Sequence, residues 1–296
     1  MPLSKPRRKR SDIRPPKRTS STVALSDRRA MEIGRQTEDA VAAAQAIMYD
    51  AWDQSSRGTR VALAHKALAT SPLCADAYVL LAEEEAKSAE EALALFRKGV
   101  AAGEQALGPA GFKEYAGHFW GFLETRPYMR ARAGLAATLS ALGEVDEAIG
   151  HYRDMLRLNP NDNQGIRYVL ARCLMKRGDT KALKELFERY DDDGSALWLY
   201  SRALVAFRES EGSDEKAKEF ARNALRANRH VPAVLTDRKK AKPSTTSYLT
   251  VGGEDEATHY AEEWGFDWVT TPGAIDWLTK ITSDKALPRI KRPAVH

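Results

Sequence analysis

The sequence predicts an all-α protein: a right-handed α-solenoid of about five helix pairs, with an inserted helix and a C-terminal helical cap. Three observations predict it. Helical periodicity begins near Ser26 and continues for about two hundred residues with almost no alternating, strand-like pattern. Alanine is abundant and long polar residues fill the gaps, which favours helix by propensity. A helix–glycine–helix pattern recurs, with glycines at 143, 178 and 212 lying 35 and 34 residues apart.

The three glycines open "GEVDEAIGHYRDMLRLNP", "GDTKALKELFERY" and "GSDEKAKEFARNALRAN". Each follows a second amphipathic segment: "RARAGLAATLSAL", "IRYVLARCLMKR" and "WLYSRALVAFRES". Glycine at a helix end accepts the left-handed conformation that a Cβ disfavours, so each is read as the turn of a helix hairpin. Two looser copies lie upstream, at 75–100 and 40–72, the latter ending at Ser71-Pro72 much as the later copy ends at Pro160. Ala92 to Ala148 is 56 residues, one period plus about 22, and the excess falls on residues 106–126. Within that excess Phe112, Tyr115, Phe119, Trp120 and Leu123 fall on one helical stripe, which predicts an inserted helix packed by its rings. The polar set His118, Glu124 and Arg126 beside Trp120 makes the same stretch a candidate site.

The period and pattern resemble the tetratricopeptide repeat, with Ala148 as its small residue, Tyr152 as its aromatic and Pro160 as its closing proline. The array is thus expected to span 28–235 as a tetratricopeptide-like α-solenoid, each pair burying against its neighbours an apolar face that it cannot bury alone. The resemblance implies binding on the concave face, where Ala148, Leu183 and Ala217 as equivalent positions place Arg130, Tyr168, Arg172 and Arg202. Arginine presents planar donors suited to carboxylates, so an acidic or C-terminal peptide is the expected ligand. The alternative is that these arginines only pair with neighbouring acids of their own chain. Ala133, Gly134, Val169 and Ala203 stand where chaperone-binding versions carry Lys and Asn, so chaperone binding is not expected.

The ends differ from the array. Residues 1–20 hold eight Lys or Arg against Asp12 alone, a net +7, so the chain's overall +5 leaves the remainder at −2. With four prolines and few large apolar residues, 1–27 is expected to be a disordered basic tail. Arg7, Arg8, Lys9 and Arg10 can neutralise phosphates, which gives a nucleic-acid-associated protein as the alternative function. No aromatics are interleaved there for stacking on bases, and a solvated tail is the plainer reading. Residues 236–252 read as a polar connector and 253–296 as capping helices and tail, with Thr271 as a cap for the last helix. In the first of those helices Ala257, Tyr260, Ala261 and Trp264 share one face.

"ERYDDDGSALWLYSRALVAFR" (188–208), "ANRHVPAVL" (227–235), "EDEATHYAEEW" and "PGAIDWL" resemble the suppressor of tumorigenicity 7 family in their Tyr-Asp-Asp turn, His-Val-Pro exit and C-terminal end. That resemblance implies a helical repeat protein without known enzymatic activity, and it carries no catalytic residue over. Eukaryotic members have membrane-spanning segments near the N-terminus. No apolar stretch here approaches that length, so no membrane partner is expected.

The chemistry-bearing motifs are missing. The six histidines have no paired metal spacing, and neither GxxxxGK[ST] nor GxGxxG after a strand occurs. Asp191-Asp192-Asp193-Gly194 lacks the alternating ligands of an EF-hand and is read as a turn whose Asp caps the helix near Ala196. The two cysteines, Cys74 and Cys173, read as buried small hydrophobes of a reduced, cytoplasmic setting. The N-terminus lacks the apolar core of a secretory signal, and prolines interrupt any amphipathic transit helix. The sequence therefore points to a non-enzymatic interaction scaffold in the cytoplasm, with no cofactor and no metal.

Overall fold

The computed structural model describes residues 20–237 and 249–283, which form α-helices joined by turns, with no strand among the described residues. The chain divides into two compact units, Met1–Thr138 and Leu139–His296.

The first unit holds α1 (Ser20–Trp52), α2 (Arg57–Thr70), α3 (Ala75–Glu84) and α4 (Ala89–Glu114), and the boundary between units falls within α5 (Arg126–Leu142). Serines start two of these helices. Ser56 accepts from the Thr59 amide at 3.4 Å and Ser88 from the Glu91 amide at 3.2 Å, while Glu91 reaches back to the Lys87 amide at 2.8 Å. Ala44, Ala51, Ala64, Ala67 and Ala77 interleave with Met48, Leu80 and Leu81 in its core, small residues that let successive helices close on one another. Between α4 and α5 the approach is closer still. A Cβ on Gly103 would lie 2.9 Å from that of Tyr128, and one on Gly134 would overlap the Phe96 ring.

The second unit holds α6 (Val145–Leu158), α7 (Ile166–Arg177), α8 (Thr180–Arg189), α9 (Ala196–Ser210), α10 (Glu215–Ala227), α11 (Val231–Thr236), α12 (Glu254–Val269) and α13 (Ala274–Ser283). Gly143, Gly178 and Gly212 all have left-handed backbones (φ 92°, 74° and 74°), the reason glycine recurs there. Ala148, Leu183 and Ala217 are all buried, so the three positions aligned in the sequence do equivalent packing work. The helix α12 packs on α9, α11 and α13, and it buries Ala257, Tyr260, Ala261, Trp264 and Trp268.

Several expectations need correction. The tail was expected to be disordered through residue 27, yet α1 begins at Ser20; "SSTVALSDRRAMEI" has a serine start and good helix formers once the prolines end. The inserted helix is limited to a short piece, 109–114. The helix α4 runs on into the insertion, breaks at Gly108 (φ 59°, ψ 175°) before Pro109, and stops at Glu114. Residues 115–125 are turns, with Gly117 at φ 88°. Backbone reversal at that glycine defeats a stripe whose spacing alone fits a helix. The cap of α9 is Ser195, whose hydroxyl accepts from the Trp198 amide at 3.3 Å, and not an Asp of the 191–193 run. The Thr271 hydroxyl, just past the end of α12, bonds back to the Asp267 carbonyl at 2.6 Å. Of the expected connector, Thr236 closes α11 and 238–248 lie outside the described residues.

Candidate functional site

In the first unit Arg130, on α5, makes a two-toothed ion pair with Asp76 of α3, its Nε 2.7 Å from Oδ1 and its Nη2 on Oδ2. Asp76 is fully buried and also accepts from Gln45 Nε2 at 2.8 Å, while the Arg130 guanidinium lies 5.1 Å from the centre of the Trp52 ring. Removing Arg130 strands the Asp76 carboxylate in a dry site, so this residue holds its unit together.

The insertion belongs to the same unit. Phe119 is fully buried, with ring centres 5.2 Å from Phe112 and 6.1 Å from Tyr128. Tyr115 and Phe122 pair at 4.6 Å. The buried Thr125 hydroxyl reaches the Phe119 carbonyl and lies 2.9 Å from that of Phe122. Arg126 Nε donates to the Trp120 carbonyl at 3.0 Å, and its guanidinium sits 5.5 Å from that ring. His118 and Glu124 are exposed and do not join them. The turn is thus built by rings and carbonyl-directed side chains; of the four candidates there only Trp120 and Arg126 are brought together.

Two polar nodes organise the second unit. At the first, Asp162 has a left-handed backbone (φ 48°), and its carboxylate caps α7 through the amides of Ile166 (2.7 Å) and Arg167 (2.9 Å). Arg167 bridges that carboxylate at 3.0 Å to Asp193 at 2.7 Å. Tyr168 donates to Asp193 Oδ2 at 2.7 Å and accepts from Arg167 at 2.8 Å. Burial pushes the Asp162 carboxyl above its ordinary value despite these bonds. Burial acts the same way on Asp193, but hydrogen bonds from Ser195, Tyr168 and Arg167 outweigh it and hold that carboxyl low. Tyr190, which opens the acidic turn, donates to the Pro160 carbonyl at 3.0 Å.

At the second node α12 is fastened to α9 and to the exit from α10. Glu256, buried at 4% exposure, accepts from the Ala196 amide at 2.9 Å, so it caps α9 from 60 residues away. Its other oxygen accepts from the Gly252 amide (2.7 Å) and Asn228 Nδ2 (2.9 Å). Tyr200 donates to the Asn228 carbonyl at 2.6 Å. On the same helix Asp267 accepts from Arg172 Nη1 at 2.6 Å, and the Arg172 guanidinium stacks 4.6 Å from the Trp264 ring. Arg208 adds bonds to the Thr271 hydroxyl (2.9 Å) and the Asp267 carbonyl (3.1 Å).

The four expected groove residues therefore differ. Arg130, Tyr168 and Arg172 are engaged by carboxylates of their own unit. Arg202 stacks on Phe220 at 4.2 Å, and no carboxylate pairs with it among the described residues. Arg7, Arg8, Lys9 and Arg10 lie outside the described residues. Glu256, Asn228 and Asp76 escaped the sequence reading, because each acts on a partner 28 to 60 residues away and has no local spacing signature. Among the described residues no group of His, Cys, Asp and Glu is placed to hold a metal ion, and no helix is long and apolar enough to cross a membrane.

Successive helix–turn–helix segments fastened by buried ion pairs, with a C-terminal helix clamped to the last of them, define an all-helical protein of repeat-like build. A family model described as ST7 protein matches residues 24–294, and the chain belongs to that family. It is 27% identical over 259 residues to a Rattus norvegicus protein named suppressor of tumorigenicity 7 protein-like, covering 78% of this chain and 45% of that one. It is 26% identical over 296 residues to the Caenorhabditis elegans protein ST7 homolog, covering 86% and 53%. The chain spans about half the length of these relatives.

Proposed function

We propose that the chain is a non-enzymatic interaction scaffold in which the helix pairs stack as a right-handed, tetratricopeptide-like solenoid and hold a protein or peptide partner in the groove. The observation that carries this reading is Arg202 of α9, a half-buried guanidinium stacked on Phe220 of α10. Arg172 of α7 holds a carboxylate-bearing helix, α12, through Asp267 and Trp264, whereas Arg202, turned toward α10, has no carboxylate partner among the described residues. A ring-stacked arginine with no carboxylate paired to it has the chemistry to bind an acidic segment of a partner, as Arg172 binds Asp267 within the chain. The missing catalytic motifs and the family resemblance support a role without chemistry of its own, and cytoplasmic residence fits the two buried thiols.

Fluorescence anisotropy with a labelled glutamate-rich peptide tests the reading. Arg202→Ala, on a half-exposed residue, is expected to weaken binding several-fold at low salt while leaving helicity unchanged. Equal affinity of the folded variant and the wild type would remove Arg202 from the site.

A further inference from the structure

The outward side of α12 is unusual for a helix so firmly docked. His259, Glu262, Glu263, Phe266, Val269 and Thr270 share that side by helical spacing. Phe266 is 72% exposed and Val269 is 62% exposed, and neither is shielded by the turn that follows. Glu262 and Glu263 are exposed and make no ion pair with described residues. The whole of α12 carries six acidic residues and no Lys or Arg. The basic groups near it, Arg172 and Arg208, are spent on Asp267 at the inner side. Among the described residues the outer side is therefore an apolar step beside unpaired negative charge. A large exposed apolar pair beside unmatched charge marks an interaction surface more than a solvated one.

We infer that this face docks a basic amphipathic helix of a partner protein. Its apolar stripe would cover Phe266 and Val269, and its Lys or Arg residues would pair with Glu262 and Glu263. The occupant follows from charge complementarity: an acidic segment would be repelled here, and an uncharged one would leave both carboxylates unmatched. Its chemistry is opposite to that expected at Arg202, so one molecule offers two surfaces of opposite preference. The purpose of this surface rests on the scaffold reading, but its geometry does not.

The test uses a labelled leucine–lysine peptide patterned at helical spacing, with a scrambled peptide of the same composition, measured by anisotropy at two salt concentrations. The patterned peptide is expected to bind the wild type at least tenfold more tightly than it binds Phe266→Ser or Glu262→Lys/Glu263→Lys, and less tightly as salt rises. All substituted side chains are exposed, and circular dichroism confirms that each variant is folded. Equal affinity for all three proteins overturns the proposal, as does sensitivity to the charge reversal alone. A dimer that Phe266→Ser dissolves assigns the face to a second copy and overturns it. Binding that appears only after Lys239, Lys240 and Lys242 are changed to Ala assigns the face to the chain's own basic stretch, with the same consequence. Loss of glutamate-peptide binding in Arg202→Ala with leucine–lysine binding intact keeps the two surfaces distinct.

Discussion

Glu256→Ala is the most informative single perturbation of the second unit. The carboxylate accepts three hydrogen bonds, from the Ala196 amide (2.9 Å), the Gly252 amide (2.7 Å) and Asn228 Nδ2 (2.9 Å). Ala196 and Asn228 are buried, so water cannot replace the lost oxygen there, whereas Gly252 is only half-buried and rehydrates at small cost. Each hydrogen bond from a buried donor to a charged acceptor contributes about 1.5–2 kcal/mol, so the two stranded donors amount to about 3–4 kcal/mol. That is a large part of the 5–15 kcal/mol that typically stabilises a domain. Glu256→Gln keeps one acceptor oxygen but places an amide N–H against a donor, so about half the cost is expected. Urea unfolding followed by circular dichroism and by tryptophan emission reads the change, because Trp264 and Trp268 of α12 are both buried. Amide exchange over 254–269 should accelerate in step. A loss under about 1 kcal/mol, with exchange in α12 unchanged, would refute the clamp.

Other perturbations separate the forces at work elsewhere. Phe119→Ala should destabilise the first unit by about 3–5 kcal/mol, because its ring is fully enclosed, whereas half-buried Trp120→Ala should cost clearly less; thermal melts compare them. Gly134→Ala drives a methyl group into Phe96 and should cost about 1–3 kcal/mol, but Gly150→Ala, with open space around it inside α6, should stabilise by about 0.5–1 kcal/mol. Asp193 has its folded pKa held below the unfolded value, so its contribution is present above about pH 4 and is lost as pH falls through the folded pKa; Asp193→Asn should flatten that acid limb of the stability curve. Burial pushes the Cys74 thiol up to about 11, so alkylation of the native protein near neutral pH should be far slower there than after unfolding.

The features legible in the sequence are those set by neighbouring residues. Gly143, Gly178 and Gly212 announce their turns because only glycine accepts those backbones cheaply, and the buried side of α12 follows from the spacing of Ala257, Tyr260, Ala261 and Trp264. The 112–123 stripe misled because helical spacing of rings is also compatible with a turn, and the decision there belongs to Gly117 and to Thr125 gathering carbonyls from six and three residues upstream. The charge-bearing sites were legible only by half. Arg130 and Arg172 stand out as arginines on helix faces, but Asp76 and Asp267, 54 and 95 residues away, have no local mark that identifies them as partners. The family motifs acquire a physical meaning from those long-range pairs. The Tyr-Asp-Asp turn carries Tyr190 and Asp193 to the α6–α7 turn, and "EDEATHY" contributes Glu256 to the start of α9.

The scaffold reading is tested most directly by what the protein holds in its native setting. The immobilised wild type and an Arg202→Ala variant, matched for helicity, would be exposed to extract from the native host, and the retained proteins quantified by mass spectrometry. A defined set retained by the wild type and lost from the folded variant is the predicted result. The same proteins in the same amounts on both would contradict it.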